Sequence, residues 1–328
     1  MARIGVVGAG RVGAVLSAAL RAAGHEVVAA AGDSHASLQR IETMLPGVQH
    51  AKPTDVARAC DLLLLTVPDD MLSNVVTTLV GAGAIREGQV VCHTSGRHGL
   101  AVLAPATGIG ARPIAMHPAM TFTGTEIDLE RLEGCVFGMT AGDAERDYAE
   151  GLVADLEGIA MWVPESKRTL YHAGLAHGAN HLVTLVSQAM ELLSASGAED
   201  PAATLRPLLS AALDNALSSG DEALTGPIVR GDVRTVQAHL HDIAASAPAT
   251  IPSYVAMAKA TADRAVLGGR LLPIRAATLV RILDDALRRV GETVPQATAP
   301  SAVEPEAVPG TASGQPVARP RSSGSEPR

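Results

Sequence analysis

The chain has 328 residues, 47% of them apolar, and a net charge of −8. That length allows two domains with a sizeable core, and the acidic balance argues against nucleic-acid binding through a broad basic face. Aromatic residues make up only 2%, so the core has to be assembled from Ala, Val and Leu. The three cysteines, Cys60, Cys92 and Cys135, form no Cys-x-x-Cys pair and read as small buried hydrophobes of a reducing compartment. No run approaches the ~20 apolar residues of a membrane span. Glycines interrupt the N-terminal apolar segment where a secretory signal needs continuity. A cytoplasmic protein without membrane or nucleic-acid partners is expected.

Arg3 to Val7 is a β-branched run that predicts a buried strand. Gly8, Gly10 and Gly13 come next as Gly-x-Gly-x-x-Gly, Ala14 to Ala23 predicts a helix closed by Gly24, and Glu26 to Ala30 predicts a second strand. In a dinucleotide site the first glycine permits the tight turn and the second lets backbone approach a pyrophosphate. The third lets helix pack closely on strand. The helix N-terminus, over Gly10, Arg11, Val12 and Gly13, offers N–H groups and a positive dipole end to phosphates. Cofactor choice depends on the side chains just past the second strand, where an acid favours the ribose hydroxyls of NAD and an arginine the 2′-phosphate of NADP. The usual acid position aligns with Ala31, while Asp33 and Ser34 lie just beyond. Asp33 is a candidate ribose ligand or a solvated turn acid, and the reading is NAD or NADP with a slight lean to NAD.

Further strands are expected within Pro46 to Lys52 and over Asp61 to Val67, Gln89 to His93, Arg112 to Met116, Val136 to Thr140 and Ile159 to Val163. Helices are expected over Pro53 to Cys60 and Asp143 to Leu156, and one starts at Pro68-Asp69-Asp70. Strands alternating with helices predict a doubly wound parallel sheet, whose ligands bind beyond the carboxyl ends of the strands. The candidate residues at those ends are Asp33 and Ser34, Val67 and Pro68, Thr94 and Ser95, and His117.

From Lys167 the strand pattern stops. Thr169 to Ser194, Pro201 to Ser219, Val233 to Ala245, Pro252 to Ala265 and Pro273 to Val290 all fit helices, with breakers between them. The expected organisation is a nucleotide-binding domain over 1–165, an all-α domain over 166–292, and a tail over 293–328. Seven prolines fall in the last 34 residues, so the tail is expected to be disordered. On the first of these helices His172, Ala176 and Asn180 recur at intervals of four and share a face. They form either a hydrogen-bonded core pair or a site facing the cofactor. His177 and His181 are also four apart, but no carboxylate or cysteine cluster accompanies them, and no metal is expected. Leu224 to Asp232 reads as a structured loop with Asp232 as the N-cap of the next helix. Arg230 is either a surface arginine or the bidentate partner of a substrate carboxylate.

These stretches together resemble the Rossmann-like proteins with a DUF2520 domain, relatives of the 6-phosphogluconate dehydrogenase, pyrroline-5-carboxylate reductase and ketopantoate reductase group. The matching text is Gly8 to Gly13, Val67 to Asp70, His93 to Gly96 and His117 to Phe122. In the second domain it is Tyr171-His172 with Asn180, then Leu224 to Asp232 with His239 and Tyr254. The resemblance implies a Rossmann sheet followed by a helical domain, and an NAD(P)-dependent oxidoreductase. Many related reductases carry a catalytic Lys four residues before an Asn on the first helix of the second domain. Asn180 fits that Asn, but the Lys position is Ala176. His172, one turn earlier, is then the candidate general acid, since histidine exchanges protons near neutral pH.

The expected function is reduction of a small carbonyl or imine compound. His172 acts as acid, Asn180 orients the reacting atom and Arg230 holds a carboxylate, with Asp232 in the same loop. The nicotinamide points towards Thr94, Ser95 and His117. Two alternatives stand beside it: a dinucleotide-binding sensor or partner protein without turnover, and a deazaflavin-dependent reductase. Dimerisation through the helical domain is expected by analogy.

Overall fold

The computed structural model describes residues 1–293. The segment expected to be a disordered tail lies outside the described residues from 294 onward. By tertiary contacts the chain divides into Met1–Ser187 and a second unit that begins at Gln188.

The first unit alternates strands and helices. They are β1 (Arg3–Val7), α1 (Arg11–Ala22), β2 (Glu26–Ala31), α2 (His35–Met44), β3 (Gln49–His50), α3 (Pro53–Ala59), β4 (Leu62–Leu65), α4 (Asp69–Gly81) and β5 (Val90–His93). After α5 (Ala104–Thr107) come β6 (Arg112–Pro118), α6 (Ile127–Glu130), β7 (Val136–Ala141), α7 (Arg146–Asp155) and β8 (Ile159–Trp162). The sheet order is β3-β2-β1-β4-β5-β6-β7-β8. The strand order reverses direction on either side of β1 and β4, which places the glycine loop at the switch point of a doubly wound sheet.

Strand β4 shows why this sequence makes a central strand. Leu62 and Leu64 enter one core with Leu16, Leu20 and Ile114. Leu63 and Leu65 enter the other with Val56, Leu72 and Val76. A strand covered on both faces has no polar alternation to show. Each of these leucines contributes on the order of 2 kcal/mol by burial. The cysteines are free and buried, and burial pushes the Cys60 thiol up to about 11 and Cys92 up to about 12. They are inert packing groups, as their spacing predicts.

The all-parallel expectation needs one correction. Strand β7 runs antiparallel to β6, and β8 is parallel to β7. A parallel crossover needs a helix long enough to pack across the sheet, whereas the β6–β7 link holds only the single turn α6. The chain therefore returns antiparallel.

The helix expected over Thr169 to Ser194 is three pieces: α8 (Arg168–Leu175), a π turn at Ala176–Asn180, and α9 (His181–Ala195). The second unit contains the rest of α9, then α10 (Pro201–Ser219), α11 (Val233–Ser246), α12 (Ile251–Leu267) and α13 (Pro273–Thr293). Its core is built from Val236, Leu240, Ile251, Val255, Leu279 and Leu283, with small alanines such as Ala258 and Ala262 letting α12 approach its neighbours. Among the described residues no helix is long and apolar enough to cross a membrane.

Candidate active site

Each glycine of the loop after β1 has a distinct environment. Gly8 adopts a φ of +97°, and a Cβ there would stand 2.8 Å from the backbone of Thr66 and Val67. A Cβ on Gly13 would stand 2.3 Å from Thr66 Oγ1 and 2.6 Å from the Gly8 carbonyl. Gly10 differs: the nearest atom to its Cβ position is the Gly8 carbonyl, 3.8 Å away. The outer two glycines are thus required by packing, while the middle one opens to space. Gly10 is also the N-cap residue of α1, with no side chain capping it and no acid in the first turn. The first amides of α1, at Arg11, Val12 and Gly13, are therefore free to meet an anion. This cradle fits the pyrophosphate of a dinucleotide. Thr66, which sequence reasoning passed over, donates its hydroxyl to the Gly8 carbonyl at 2.6 Å and fixes the loop against β4.

At the end of β2, Ala31 is buried and its carbonyl receives the Gly8 and Ala9 amides. Asp33 is exposed. Ser34 caps α2, accepting from the Ser37 amide at 3.1 Å. Val67 and Pro68 lie just beyond β4, where Pro68 is the N-cap residue of α4, and Asp69 of its first turn pairs with Arg97 at 3.6 Å.

The turn after β5 is held from inside. The Ser95 amide donates to His93 Nδ1 at 3.1 Å, so the ring proton sits on Nε2, which donates to the Gly99 carbonyl at 2.9 Å. Both nitrogens are used and the ring is buried, and burial lowers the His93 pKa to about 4. His93 is a structural clamp that fixes Thr94, Ser95 and Gly96. The close packing at Gly96 matters most. A Cβ there would stand 2.5 Å from the His172 ring and 3.0 Å from His117 Nε2. Only a glycine lets both histidines approach the end of β5.

His117, near the end of β6, meets the Tyr171 hydroxyl through Nδ1 at 2.9 Å. Its ring stands edge-on to His172, with centroids 6.0 Å apart. Burial, then the positive charge of Arg168, lowers the His117 pKa to about 4, so this ring is neutral at physiological pH. His117 and His172 share a cavity of about 210 Å³ with Thr121, Leu175, Ala179 and Asn180. Ala176 also lines it. The π turn lies in this wall, and such turns concentrate at functional sites because they break the regular spacing of side chains.

The largest fully buried side chain of the site is one that sequence reasoning did not single out. Arg168 is 1% exposed. Its guanidinium donates to the Ser95 carbonyl at 2.6 Å, the Gly138 carbonyl at 3.2 Å and Thr140 Oγ1 at 3.1 Å. Nε has no partner, and among the described residues no carboxylate is in ion-pair contact with Arg168. One signal was available. Arg168 opens α8, and a cation in the first turn of a helix opposes the helix dipole. Glu165, just before it, accepts from the Leu100 and Ala101 amides at 2.7 and 3.1 Å and braces the same loop.

Arg230 and Asp232 belong to the second unit. Asp232 caps α11, accepting from the Thr235 amide at 3.1 Å and the Thr235 hydroxyl at 2.7 Å, and these bonds hold its carboxyl below the usual range. Arg230 is exposed. His239 bonds the Tyr254 hydroxyl at 2.9 Å through Nδ1. His177 and His181 bond each other through Nδ1 at 3.0 Å, and among the described residues no group of three metal-ligating side chains occurs.

Fold and glycine cradle together define a doubly wound nucleotide-binding unit followed by helices. A Rossmann-like domain model matches residues 1–118, and the domain of unknown function DUF2520 matches residues 135–261. The chain belongs to the family of Rossmann-like and DUF2520 domain-containing proteins. No curated protein sequence matches it. Among solved structures it is similar to a Bacteroides fragilis protein described as an NADP oxidoreductase, with a TM-score of 0.69 and 19% identity over 80% of this chain and 98% of that one. It is also similar to a reductive aminase from Aspergillus terreus in complex with NADPH and ethyl-5-oxohexanoate (TM-score 0.55, 16% identity, 88% and 94% covered). A third is pyrroline carboxylate reductase from Plasmodium falciparum with NADP bound (TM-score 0.53, 12% identity, 85% and 98% covered). At these identities the likeness is one of fold.

Proposed function

We propose that this protein is an NAD(P)-dependent oxidoreductase that reduces a small carbonyl or imine compound. The observation that carries the reading is the meeting of His117, His172 and Asn180 on one cavity of the unit that bears the glycine cradle. The nicotinamide cofactor, when bound, supplies the hydride. Gly10, Arg11, Val12 and Gly13 hold its phosphates, and Val67, Pro68, Thr94 and Ser95 line its path beyond the strand ends. His172 delivers the proton to the oxygen or nitrogen of the reduced double bond, Asn180 orients that atom by hydrogen bonding, and neutral His117 forms the adjacent wall. Arg230 is assigned to a carboxylate on the substrate.

The likeness to proteins described as NADP- or NADPH-bound supports a nicotinamide dinucleotide. Asp33 inclines the choice to NAD, because a carboxylate suits ribose hydroxyls and repels a 2′-phosphate. Binding titrations with NADH and NADPH decide that point. Turnover is tested by following NADH and NADPH oxidation with a panel of keto acids, aldehydes and cyclic imines. The reading fails if the protein binds neither cofactor, or binds one and turns over nothing in the panel.

A second reading has its own observation. Ala176 leaves the cavity wall without an ionisable group where related reductases have Lys, which favours a dinucleotide sensor without turnover. That protein would bind cofactor and change its oligomeric state, with His172→Ala indistinguishable from the parent.

A homodimer is part of the proposal. Helix α9 is rich in apolar residues yet has no buried side chain, and α10 buries only Leu205. Leu208, Leu213 and Leu217 on α10 are 65%, 49% and 79% exposed, and a second copy seated on the face of Leu213 and Leu217 would remove that pair from water.

A further inference from the structure

Arg168 is a fully buried cation with no carboxylate in ion-pair contact among the described residues, and such a group is costly to keep. Burial of an unpaired charge is unfavourable even after relaxation, and the partnerless Nε adds a desolvated donor. Three acceptors in two segments take three of the guanidinium's other four protons: Ser95 beyond β5, and Gly138 and Thr140 on β7. Thr140 in turn donates to the Val163 carbonyl at 2.6 Å, just before α8. Gly138 is the cross-strand partner of His117. A Cβ at Gly138 would stand 2.5 Å from the Tyr171 ring, so the phenol is pressed onto the strand pair. Arg168 also stands 5.9 Å from the centroid of that ring. Its own helix therefore presents Tyr171 and His172 to the site while its guanidinium fixes the two strands that receive them.

Resting on the reading of this cavity as the reaction site, we propose that Arg168 is a positioning residue. It seats Tyr171 on β7 so that the phenol hydroxyl donates to His117 Nδ1, leaving Nε2–H directed towards Gly96 and His172 as a fixed hydrogen-bond donor. His117 is then a neutral donor that binds the reacting carbonyl or imine, and the transferable proton resides elsewhere. The surroundings of His117 agree with this division. Burial disfavours charge on it first, then Arg168, His172 and His93, and Asp69 is the group that favours charge. Tyr171 stays a phenol, since burial raises its pKa, while the Gly138 N–H favours charge on the oxygen and leaves the hydroxyl proton for His117. A neutral imidazole acting as donor is an established way to polarise a carbonyl.

The test uses the full chain and does not need turnover. Nitrogen-15 shifts of histidine side chains, with His117 assigned through His117→Asn, report protonation and tautomer directly. In the parent, His117 is expected to stay neutral from pH 8 to about 5 with the proton on Nε2. Tyr171→Phe is expected to mix the tautomers. Arg168→Met, which removes the charge, is expected to raise the His117 midpoint by about one unit, while Arg168→Lys keeps it low. In a catalytically active preparation the acid limb of kcat/KM moves up by the same amount in Arg168→Met, with KM rising more than kcat falls. A parent His117 that is protonated at neutral pH, or that carries its proton on Nδ1, overturns the proposal whether or not any Arg168 variant folds. So does a folded Arg168→Met whose His117 midpoint is unmoved. Failure of the reductase reading shows instead as absent cofactor binding or turnover, with these shifts unaffected.

Discussion

The Tyr171 hydroxyl and His117 Nδ1 stand 2.9 Å apart, joining a helix residue to the strand that ends at the cavity. The pair depends on absences elsewhere: Gly138 leaves room for the phenol, and Gly96 leaves room for the imidazole. Gly138→Ala is therefore predicted to disturb the site through Tyr171. With a Cβ only 2.5 Å from the ring, Tyr171 must move. The expected cost is about 1–3 kcal/mol of stability and a larger proportional loss of turnover than in a surface control, measured by denaturation and steady-state kinetics together.

The glycine loop separates packing from binding. Gly13→Ala places a methyl against the Gly8 carbonyl and Thr66, and should destabilise the protein by about 1–3 kcal/mol. Gly10→Ala meets nothing nearer than 3.8 Å, so its stability should stay within about 0.5 kcal/mol of the parent. Its dinucleotide affinity should still fall, because the methyl occupies the approach of the pyrophosphate. Thermal melts with and without NADH or NADPH distinguish the two. Equal behaviour of both variants would remove Gly10 from the cofactor site.

His172 is predicted to carry the proton. Replacement by Ala should lower kcat about 10²- to 10⁴-fold, with cofactor affinity little changed. Asn180→Ala should instead raise KM more than it lowers kcat if the amide serves orientation. A His172→Ala enzyme with full kcat would transfer the role to another group, or support the sensor.

Stability should fall with acid in a window set by two buried imidazoles. His93 and His117 both titrate near 4 in the folded protein, below the ordinary histidine value of about 6.5. Above that value both states are neutral and no penalty applies. As pH falls from about 6.5 to about 4 the unfolded chain gains protons that the folded chain refuses, so stability drops, and below the folded value the loss levels off. A full unit of difference is worth about 1.4 kcal/mol, which makes the combined loss on the order of 7 kcal/mol. Denaturation curves at pH 7, 5.5 and 4 should be steeper in pH for the parent than for His117→Asn.

Much of the first unit is legible in its sequence because its signals are local. The run Leu62 to Leu65 announces a strand covered on both faces, and Gly8, Gly10 and Gly13 announce the turn. The reversal of β7 is less visible, since it depends on how little helix the β6–β7 link contains. The site divides the same way. His117, His172 and Asn180 are conspicuous polar groups at strand ends or on an apolar helix. Arg168 is harder to read: beyond its unfavourable place in the first turn of α8, its meaning lies in partners far along the chain, at Ser95 and Thr140. The π turn at Ala176–Asn180 is equally silent, as no residue type there demands it.

Asp232 illustrates a role that one substitution can sort. Its carboxylate satisfies both the Thr235 amide and hydroxyl at the start of α11, which is sufficient reason for an acid at this position. Asp232→Ser retains a capping oxygen and loses the charge. If Asp232 only caps, this variant should melt near the parent and keep its turnover, while Asp232→Ala melts lower. A loss of turnover in a well-capped Asp232→Ser would assign the carboxylate to the chemistry.

The exposed leucines of α10 make the last prediction. Leu213 and Leu217 are four apart and share a helix face, and both are exposed. If a second copy covers that face, Leu213→Lys with Leu217→Lys buries two charges in an apolar interface, a change costly enough to separate the subunits. Light scattering after size exclusion should then report a dimer for the parent and a monomer for the double variant. Helical circular dichroism should be unchanged if the second unit folds on its own core of Val236, Leu240 and Leu279. A parent that is monomeric at all concentrations would leave the leucines without a partner and end the dimer proposal. A double variant that stays dimeric would move the interface away from α10.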